Sequence, residues 1–468
     1  MTEISRKERM AMPRTDMPEL PGRARASSFE EVNLGYTDQL AVLEASRCIQ
    51  CPHPACIEGC PVGVRINEFV AAVAEERFDE AAAIVSRDNS LPAVCGRVCP
   101  QEVQCEGACV MGRRSSPIAI GHLERFVADR ARRGGPVAVP EIGSTGRSVG
   151  IVGSGPAGLA CATDLGRAGH GVTVYEALHE PGGVLIYGIP EYRLPKAVVA
   201  AEVDRLRDLG VVFELDAPIG RAESLDDLLE RHDAVFVGTG AGLPRFPDVA
   251  GEHLIGVQSA NEFLTRVNLM KANRTDGSTP VSDVRGRSVA VIGGGNTALD
   301  AVRTALRLGA ASATVYYRRT EDEMPARDEE IRHAREEGVH FEFLLNPVAF
   351  EGTDGWLDTM VLQRMRTTEA DESGRRRVEP VEGSEVAVPV DVAIVAIGNR
   401  PNPMLAGTPD LETTSRGTIV ADESGKTAKE GVFAGGDIVT GGATVILAMG
   451  AGRRAAEAID EYLAESRV

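Results

Sequence analysis

Val149-Gly-Ile-Val-Gly153-Ser154-Gly155-Pro156-Ala157-Gly158 is an apolar run that ends in three glycines spaced G-x-G-x-x-G, and what surrounds it decides the fold. The run before the glycines predicts a buried strand. A helix is predicted over 159–166, and Val172-Thr-Val-Tyr175 predicts a second strand that ends in Glu176. Each glycine answers a separate physical demand. Gly153 makes the tight turn, Gly155 lets a pyrophosphate approach, and Gly158 lets helix and strand pack closely. Ser154, Pro156 and Ala157 complete a loop that holds phosphates at a helix N-terminus, and Glu176 accepts from a ribose hydroxyl. A lone glycine pattern is weak evidence. Strand, helix, second strand and acid in this order predict a dinucleotide site in a doubly wound α/β domain.

The pattern recurs in Val289-Ala-Val-Ile-Gly293-Gly294-Gly295-Asn296-Thr297-Ala298, whose second strand, Thr314-Val-Tyr-Tyr317, ends in Arg318-Arg319. An acid at that place repels a 2′-phosphate, whereas two guanidiniums attract it. The second site is therefore expected to prefer NADP(H). Near the C-terminus, Gly431-Val-Phe-Ala-Gly435-Gly436-Asp437-Ile438 predicts a strand ending in Gly-Asp, followed by an apolar helix from about Ala443. Gly436 and Asp437 suit the ribityl chain of a flavin, and the helix N-terminus suits an anionic reduced ring. Residues 237–241 and 395–401 read as the two chain crossings between nucleotide domains, so the first site is expected to hold FAD.

Eight of the nine cysteines lie ahead of both fingerprints, in the blocks Cys48-x2-Cys51-x4-Cys56-x3-Cys60-Pro61 and Cys95-x3-Cys99-Pro100-x5-Cys105-x3-Cys109. Zinc also uses closely spaced cysteines. A proline directly after Cys60 and after Cys99, with a flavin behind that needs a one-electron outlet, favours iron–sulfur clusters. Cys161, inside the fingerprint helix, reads as a small core residue. One cysteine cannot support a dithiol mechanism. His53, His122 and His333 read as structural or surface residues, and no catalytic side chain is expected, because the cofactors carry the chemistry.

The chain has 468 residues with 69 acidic against 50 basic, net −19, which argues against nucleic acid and anionic membrane surfaces as partners. The N-terminus lacks the apolar run of a signal peptide and no stretch is long enough to span a bilayer, so a cytoplasmic protein is expected. Reduced cysteines fit that compartment. The expected organisation is an arm over 1–35 that packs on a neighbour, a helical metal domain over 36–132, and a linker over 133–147. A first flavin segment (148–271), a nicotinamide domain (285–395) and a second flavin segment (396–468) follow. Asn67 is expected to cap a helix with Phe69, Val70 and Val73 on one face, and residues 367–385 to form a long hairpin or surface loop.

The runs Gly182-Gly183-Val-Leu-Ile-Tyr-Gly-Ile-Pro190-Glu191-Tyr-Arg-Leu-Pro195 and Tyr316-Tyr-Arg318-Arg319-Thr-Glu-Asp-Glu-Met324-Pro325-Ala326-Arg327, with Gly435-Gly436-Asp437, resemble the small subunit of NADPH-dependent glutamate synthase. They resemble equally the large subunit of bifurcating NADH-dependent ferredoxin:NADP oxidoreductase. The resemblance implies glutathione-reductase-type nucleotide domains, interleaved and doubly wound, behind a helical domain with two [4Fe–4S] clusters. Gly183 joins the flavin site on this basis. It implies hydride transfer between nicotinamide and flavin, then single-electron steps through the clusters to a partner subunit in a hetero-oligomer. That partner would be a glutamate synthase large subunit. In the alternative, a transhydrogenase or sulfide dehydrogenase, it would be a small ferredoxin-reductase-like subunit. A third reading, a regulatory module that only senses redox state, is disfavoured by two full fingerprints. Likeness to the N-terminal domain of dihydropyrimidine dehydrogenase implies one cluster on Cys48, Cys51, Cys56 and Glu124. The other would use Cys60, Cys99, Cys105 and Cys109, with Cys95 a free thiol.

Overall fold

Apolar runs with both faces covered make parallel sheets, and the chain builds two. The computed structural model describes residues 4–134, 142–273, 283–370 and 376–465. The first sheet runs in the order Val432–Ala434, Ala234–Val237, Ser148–Val152, Gly171–Tyr175, Val212–Glu214, all parallel. The second runs Val257–Ser259, Val392–Val395, Ser288–Ile292, Ser312–Tyr317, His340–Phe343, again all parallel. Both fingerprints thus leave the central strand of a five-stranded sheet. Because Val432–Ala434 returns to the first sheet, the flavin-type domain is split in sequence around the other.

The expected end of the first flavin segment at residue 271 needs correction. Val257–Ser259 pairs with Val392–Val395 of the second sheet, and the helix Ala260–Asn268 buries Phe263, Leu264 and Val267 in that sheet's core. The backbone hydrogen bonds of a three-residue strand outweigh its position in the sequence. The crossing segments meet where Leu243–Pro244 pairs with Asn399–Arg400. The region over 367–385 belongs to a hairpin: Trp356–Ala370 and Arg376–Pro389 form an antiparallel sheet with Leu345–Thr353, and residues 371–375 lie outside the described residues.

The metal-domain core is built on the helices Asp38–Ser46, Ile66–Ala74, Phe78–Asp88 and Ile120–Arg133, while the apolar residues of the helix Pro92–Val98 join the core of the flavin-type domain. Phe69, Val70 and Val73 are fully buried, as their spacing predicts. Asn67 is not the cap: Arg65 holds that position, and Asn67 lies within the first turn. Of the linker, residues 135–141 lie outside the described residues. The N-terminal arm packs across the metal domain and both nucleotide domains. Glu31 pairs with Arg97 and Arg125, Val32 N–H donates to the Tyr192 carbonyl at 2.9 Å, and Arg25 pairs with Glu336.

Beneath the arm lies a buried charge network. Arg303 pairs with Glu330 and with Glu337 (2.7 Å), and Arg307 pairs with Glu337 (2.6 Å). Arg193, from the flavin-side turn, pairs with Asp300 at 2.7 Å on the nicotinamide-side helix. The Arg193–Asp300 pair joins the two nucleotide domains, and the other pairs tie two helices within the nicotinamide domain. Among the described residues no helix is long and apolar enough to cross a membrane.

Candidate functional site

The first fingerprint forms a cradle shaped for a ligand. Gly153 has φ +99°, and a Cβ there would sit 2.7 Å from the Gly238 carbonyl oxygen. A Cβ on Gly158 would overlap the Gly153 carbonyl oxygen, so glycine is required for the helix to pack this close. Gly155, by contrast, faces open space at the N-terminus of the helix Pro156–Arg167. Proline at the first helical position costs nothing there, because that N–H has no intrahelical partner. The buried Glu176 carboxylate accepts from Ser154 N–H (3.0 Å), the Ser154 hydroxyl and Leu178 N–H (2.9 Å). A carboxylate has about four acceptor positions, which leaves room for a ribose hydroxyl. Gly183 lies against Gly155, a Cβ there falling 2.8 Å from the Gly155 Cα.

Asp437 closes this cradle from the other segment. Burial pushes its carboxyl up to about 6, with the Ala443 N–H opposing. Gly436 has φ +78° and fits tightly over Ala157. The helix Val445–Glu465 follows and runs against the fingerprint helix, where a Cβ on Gly452 would overlap the Ala157 carbonyl.

In the second fingerprint, a Cβ on Gly294 would fall 2.7 Å from the Tyr317 ring, while Gly295 is nearly open. Asn296 and Thr297 begin the helix Asn296–Arg307. Arg318 and Arg319 follow the strand but differ in setting. Arg318 is exposed, whereas Arg319 is buried, with Nη1 3.5 Å from Glu323 and with Nε free of hydrogen-bond partners among the described residues. The Asn268 side chain donates to the Tyr187 and Gly188 carbonyls (3.1 and 3.3 Å), which ties the nicotinamide-side helix to the turn beyond Gly183.

The cysteines separate into two groups, but not as the resemblance implied. Cys48, Cys51, Cys56 and Cys109 line one apolar cavity with Ile49, Ile66 and Val70. Cys60, Cys99 and Cys105 lie beside Glu124, whose charge acts on all three. Cys109 and Glu124 therefore exchange places relative to the expected assignment. The reason is packing. Glu124 is on the buried face of Ile120–Arg133, which packs against Pro92–Val98, the helix that leads to Cys99. Cys109 ends the loop after Cys105 and leads into the turn Val110–Arg113, which lines the other cavity.

Burial pushes the thiols of Cys48 and Cys56 up to about 11 and about 12. Those two thiols become thiolates there only with a cation to hold them, and four cysteines gathered on one cavity are the donor set of a metal centre. Burial raises Glu124 to about 7, against the hydrogen bond from Asn89 Nδ2 at 2.6 Å. Cys95 is fully buried in the same region, its S–H directed at Asn89 Oδ1 (3.7 Å) and its sulfur 3.5 Å from Met449. The second group thus abuts the C-terminal helix of the flavin-type domain, and a Cβ on Gly450 would fall 3.3 Å from the Pro61 carbonyl. The thiols of the first group are only half-buried.

Residues that the sequence pattern does not single out also converge here. Gln101 Nε2 donates to the Cys95 carbonyl (3.1 Å), and Arg327 reaches Gln101 Oε1 (3.0 Å) from the nicotinamide side. Arg327 closes the run that ends in Met-Pro-Ala-Arg, but its role depends on a contact 226 residues away. Cys161 is core, and His122 is a half-buried partner of Tyr36 that desolvation holds down at about 4.

The chain matches the model of dihydropyrimidine dehydrogenase domain II, 4Fe-4S cluster, over residues 25–135 and that of pyridine nucleotide-disulphide oxidoreductase over 147–452. It is 41% identical over 457 residues to the glutamate synthase [NADPH] small chain of Halomonas elongata, covering 96% of each chain. It is 39% identical over 434 residues to the NADP(+)-dependent formate dehydrogenase subunit beta of Moorella thermoacetica, covering 87% of this chain and 60% of that one. FprA of Mycobacterium tuberculosis, solved in complex with NADPH, shares the fold at a TM-score of 0.58 and 20% identity, over 69% of this chain and 85% of that one. Two glycine cradles behind two thiol groups, in a chain that aligns end to end with such a relative, place the protein in the family of glutamate synthase [NADPH] small chains, pyridine nucleotide-disulphide oxidoreductases with an N-terminal 4Fe-4S domain.

Proposed function

We propose that the chain is the electron-input subunit of a larger NADP(H)-linked oxidoreductase, of the glutamate synthase small-chain type. The observation that carries this reading is the order of the sites. The nicotinamide-type cradle adjoins the flavin-type cradle, the inner group of Cys60, Cys99, Cys105 and Glu124, buried except for the half-buried Cys60, abuts the flavin-side helix, and all four thiols of the outer group, Cys48, Cys51, Cys56 and Cys109, are half-buried. Gly153, Ser154, Gly155, Pro156, Ala157, Gly158, Glu176, Gly183, Gly436 and Asp437 would hold FAD. Gly293, Gly294, Gly295, Asn296, Thr297, Arg318 and Arg319 would hold NADP(H). The two thiol groups would each hold a [4Fe–4S] cluster, with Glu124 or Cys95 as the fourth donor of the buried one.

When bound, these groups supply two-electron chemistry at the nicotinamide and flavin and one-electron carriers at the clusters. The chain supplies position. Glu176 and Asp437 would accept hydrogen bonds from the first ligand, and the Arg193–Asp300 pair ties the flavin-side turn to the nicotinamide-side helix. Burial shields Cys99 and Cys105 of the inner group from water, and the partial exposure of all four outer thiols suits electron exit to a partner.

The partner is read as a glutamate synthase large subunit. The same core occupies 60% of a formate dehydrogenase subunit, which favours, as a second reading, another NADP(H)-linked complex with its own terminal subunit. Co-expression with a glutamate synthase large subunit tests the first reading. A complex that carries flavin and about eight irons and makes glutamate with NADPH supports it. A chain that binds zinc without iron sinks the electron-transfer reading, and failure to associate with that subunit moves the choice to the second.

A further inference from the structure

We propose that Arg327 is a positioning residue that couples the nicotinamide-type cradle to the buried thiol group, so that nucleotide occupancy changes the packing of the metal domain. The inference rests on the assignment of the second fingerprint to NADP(H). It starts from the backbone. The segment 324–327 lies directly on the fingerprint: Ala326 N–H donates to the Gly294 carbonyl at 3.2 Å, and Arg327 N–H donates to Asn296 Oδ1 at 3.1 Å. A phosphate that draws Gly294–Asn296 inward must carry this segment with it.

From there the guanidinium crosses into the metal domain. Arg327 is 7% exposed. Its Nη1 donates to the Arg97 carbonyl (3.1 Å) and its Nη2 to Gln101 Oε1 (3.0 Å), while Glu102 (3.4 Å) and Glu329 (3.2 Å) balance its charge. A planar fork with five donors can hold these partners in one fixed geometry, which an ammonium cannot. Gln101 passes the constraint on. Its Nε2 donates to the Cys95 carbonyl (3.1 Å), and its own carbonyl accepts from Gln104 (3.0 Å), Glu106 (2.9 Å) and Gly107 (3.2 Å). One residue thus pins the helix end that carries Cys95 and Cys99 and the turn that carries Cys105. A Cβ on Gly121 would overlap the Gln101 side chain, so Gln101 has no slack in which to absorb a shift.

The purified holoenzyme, with flavin and iron in place, is titrated with NADP⁺, which leaves the oxidised cofactors unchanged. Calorimetry measures binding, and hydrogen–deuterium exchange follows residues 95–107. The expected result is several-fold slower exchange of this segment when NADP⁺ is bound. Arg327→Ala should still bind NADP⁺ but lose the effect, and Arg327→Lys should restore it only in part. Gln101→Met breaks the relay from the other side, leaves Arg327 paired with Glu102 and Glu329, and serves if Arg327→Ala does not fold. NADP⁺ binding without a change in exchange, or variants that keep the change, overturns the relay alone. Failure of wild type to bind NADP⁺ overturns the nucleotide assignment and the relay with it.

Discussion

Removing the Arg319 guanidinium should convert the chain from a protein selective for NADPH to one that barely distinguishes the two nicotinamides. Arg319 is buried, its Nη1 is 3.5 Å from Glu323, and its Nε has no hydrogen-bond partner among the described residues. Such a side chain is already ordered and partly dehydrated, so a 2′-phosphate that meets it receives a charge-assisted hydrogen bond with little entropy left to lose. That contact is worth about 1.5–3 kcal/mol, equivalent to about 10- to 150-fold in affinity. Arg318 is exposed and exchanges water for phosphate under salt screening, so it should contribute a smaller share that fades as ionic strength rises. The assay is steady-state reduction of an artificial acceptor with NADPH and NADH, for wild type, Arg319→Ala and Arg318→Ala, at low and high salt. Arg319→Ala should raise KM for NADPH by the stated factor, with NADH changed less than about twofold. Equal losses for both nucleotides, or a wild type that prefers NADH, would refute the reasoning.

Four further outcomes follow from the packing. Gly158→Ala puts a methyl group into the Gly153 carbonyl, so the variant should lose both flavin and stability, whereas Gly155→Ala meets no protein atom and should keep its stability but still purify with little flavin, because its methyl group fills the space left for the pyrophosphate. Burial raises the carboxyls of Glu330 and Glu337, but Arg303, with Arg193 for one and Arg307 for the other, outweighs it and holds both down at about 2. Their contribution to stability is full above the unfolded carboxylate range near about 4.3 and is lost as pH falls toward 2, so denaturation midpoints should drop across that window. Arg303→Met leaves two buried carboxylates short of a partner and should cost about 3–5 kcal/mol in urea unfolding of the nicotinamide domain. Cys109→Ser should alter the EPR signal of the outer metal centre, and Glu124→Ala that of the inner one. The reverse pattern would return Cys109 and Glu124 to the groups that the resemblance implies.

Both glycine cradles, the strand–helix–strand units that carry them and the buried helix face of Phe69, Val70 and Val73 can be read from the sequence, because each depends on neighbours within about 30 residues. Turn geometry, apolar periodicity and an acid or arginine at a strand end are local demands, and local residues meet them. The cysteine blocks announce a metal domain for the same reason. Tertiary structure decides what depends on distant partners. Val257–Ser259 joins the second sheet because Val392–Val395 offers it an edge. Asn67 loses the cap position because the helix begins at Ile66. Cys109 and Glu124 change groups because the loop after Cys105 turns one away while the packing of Ile120–Arg133 against Pro92–Val98 brings the other in. Arg327 is part of a recognisable run, but no local signal gives its side chain a role, because the guanidinium reaches Gln101 and the Arg97 carbonyl in another domain. Spacing along the chain specifies which residues can bind a group, and packing between elements specifies which of them meet.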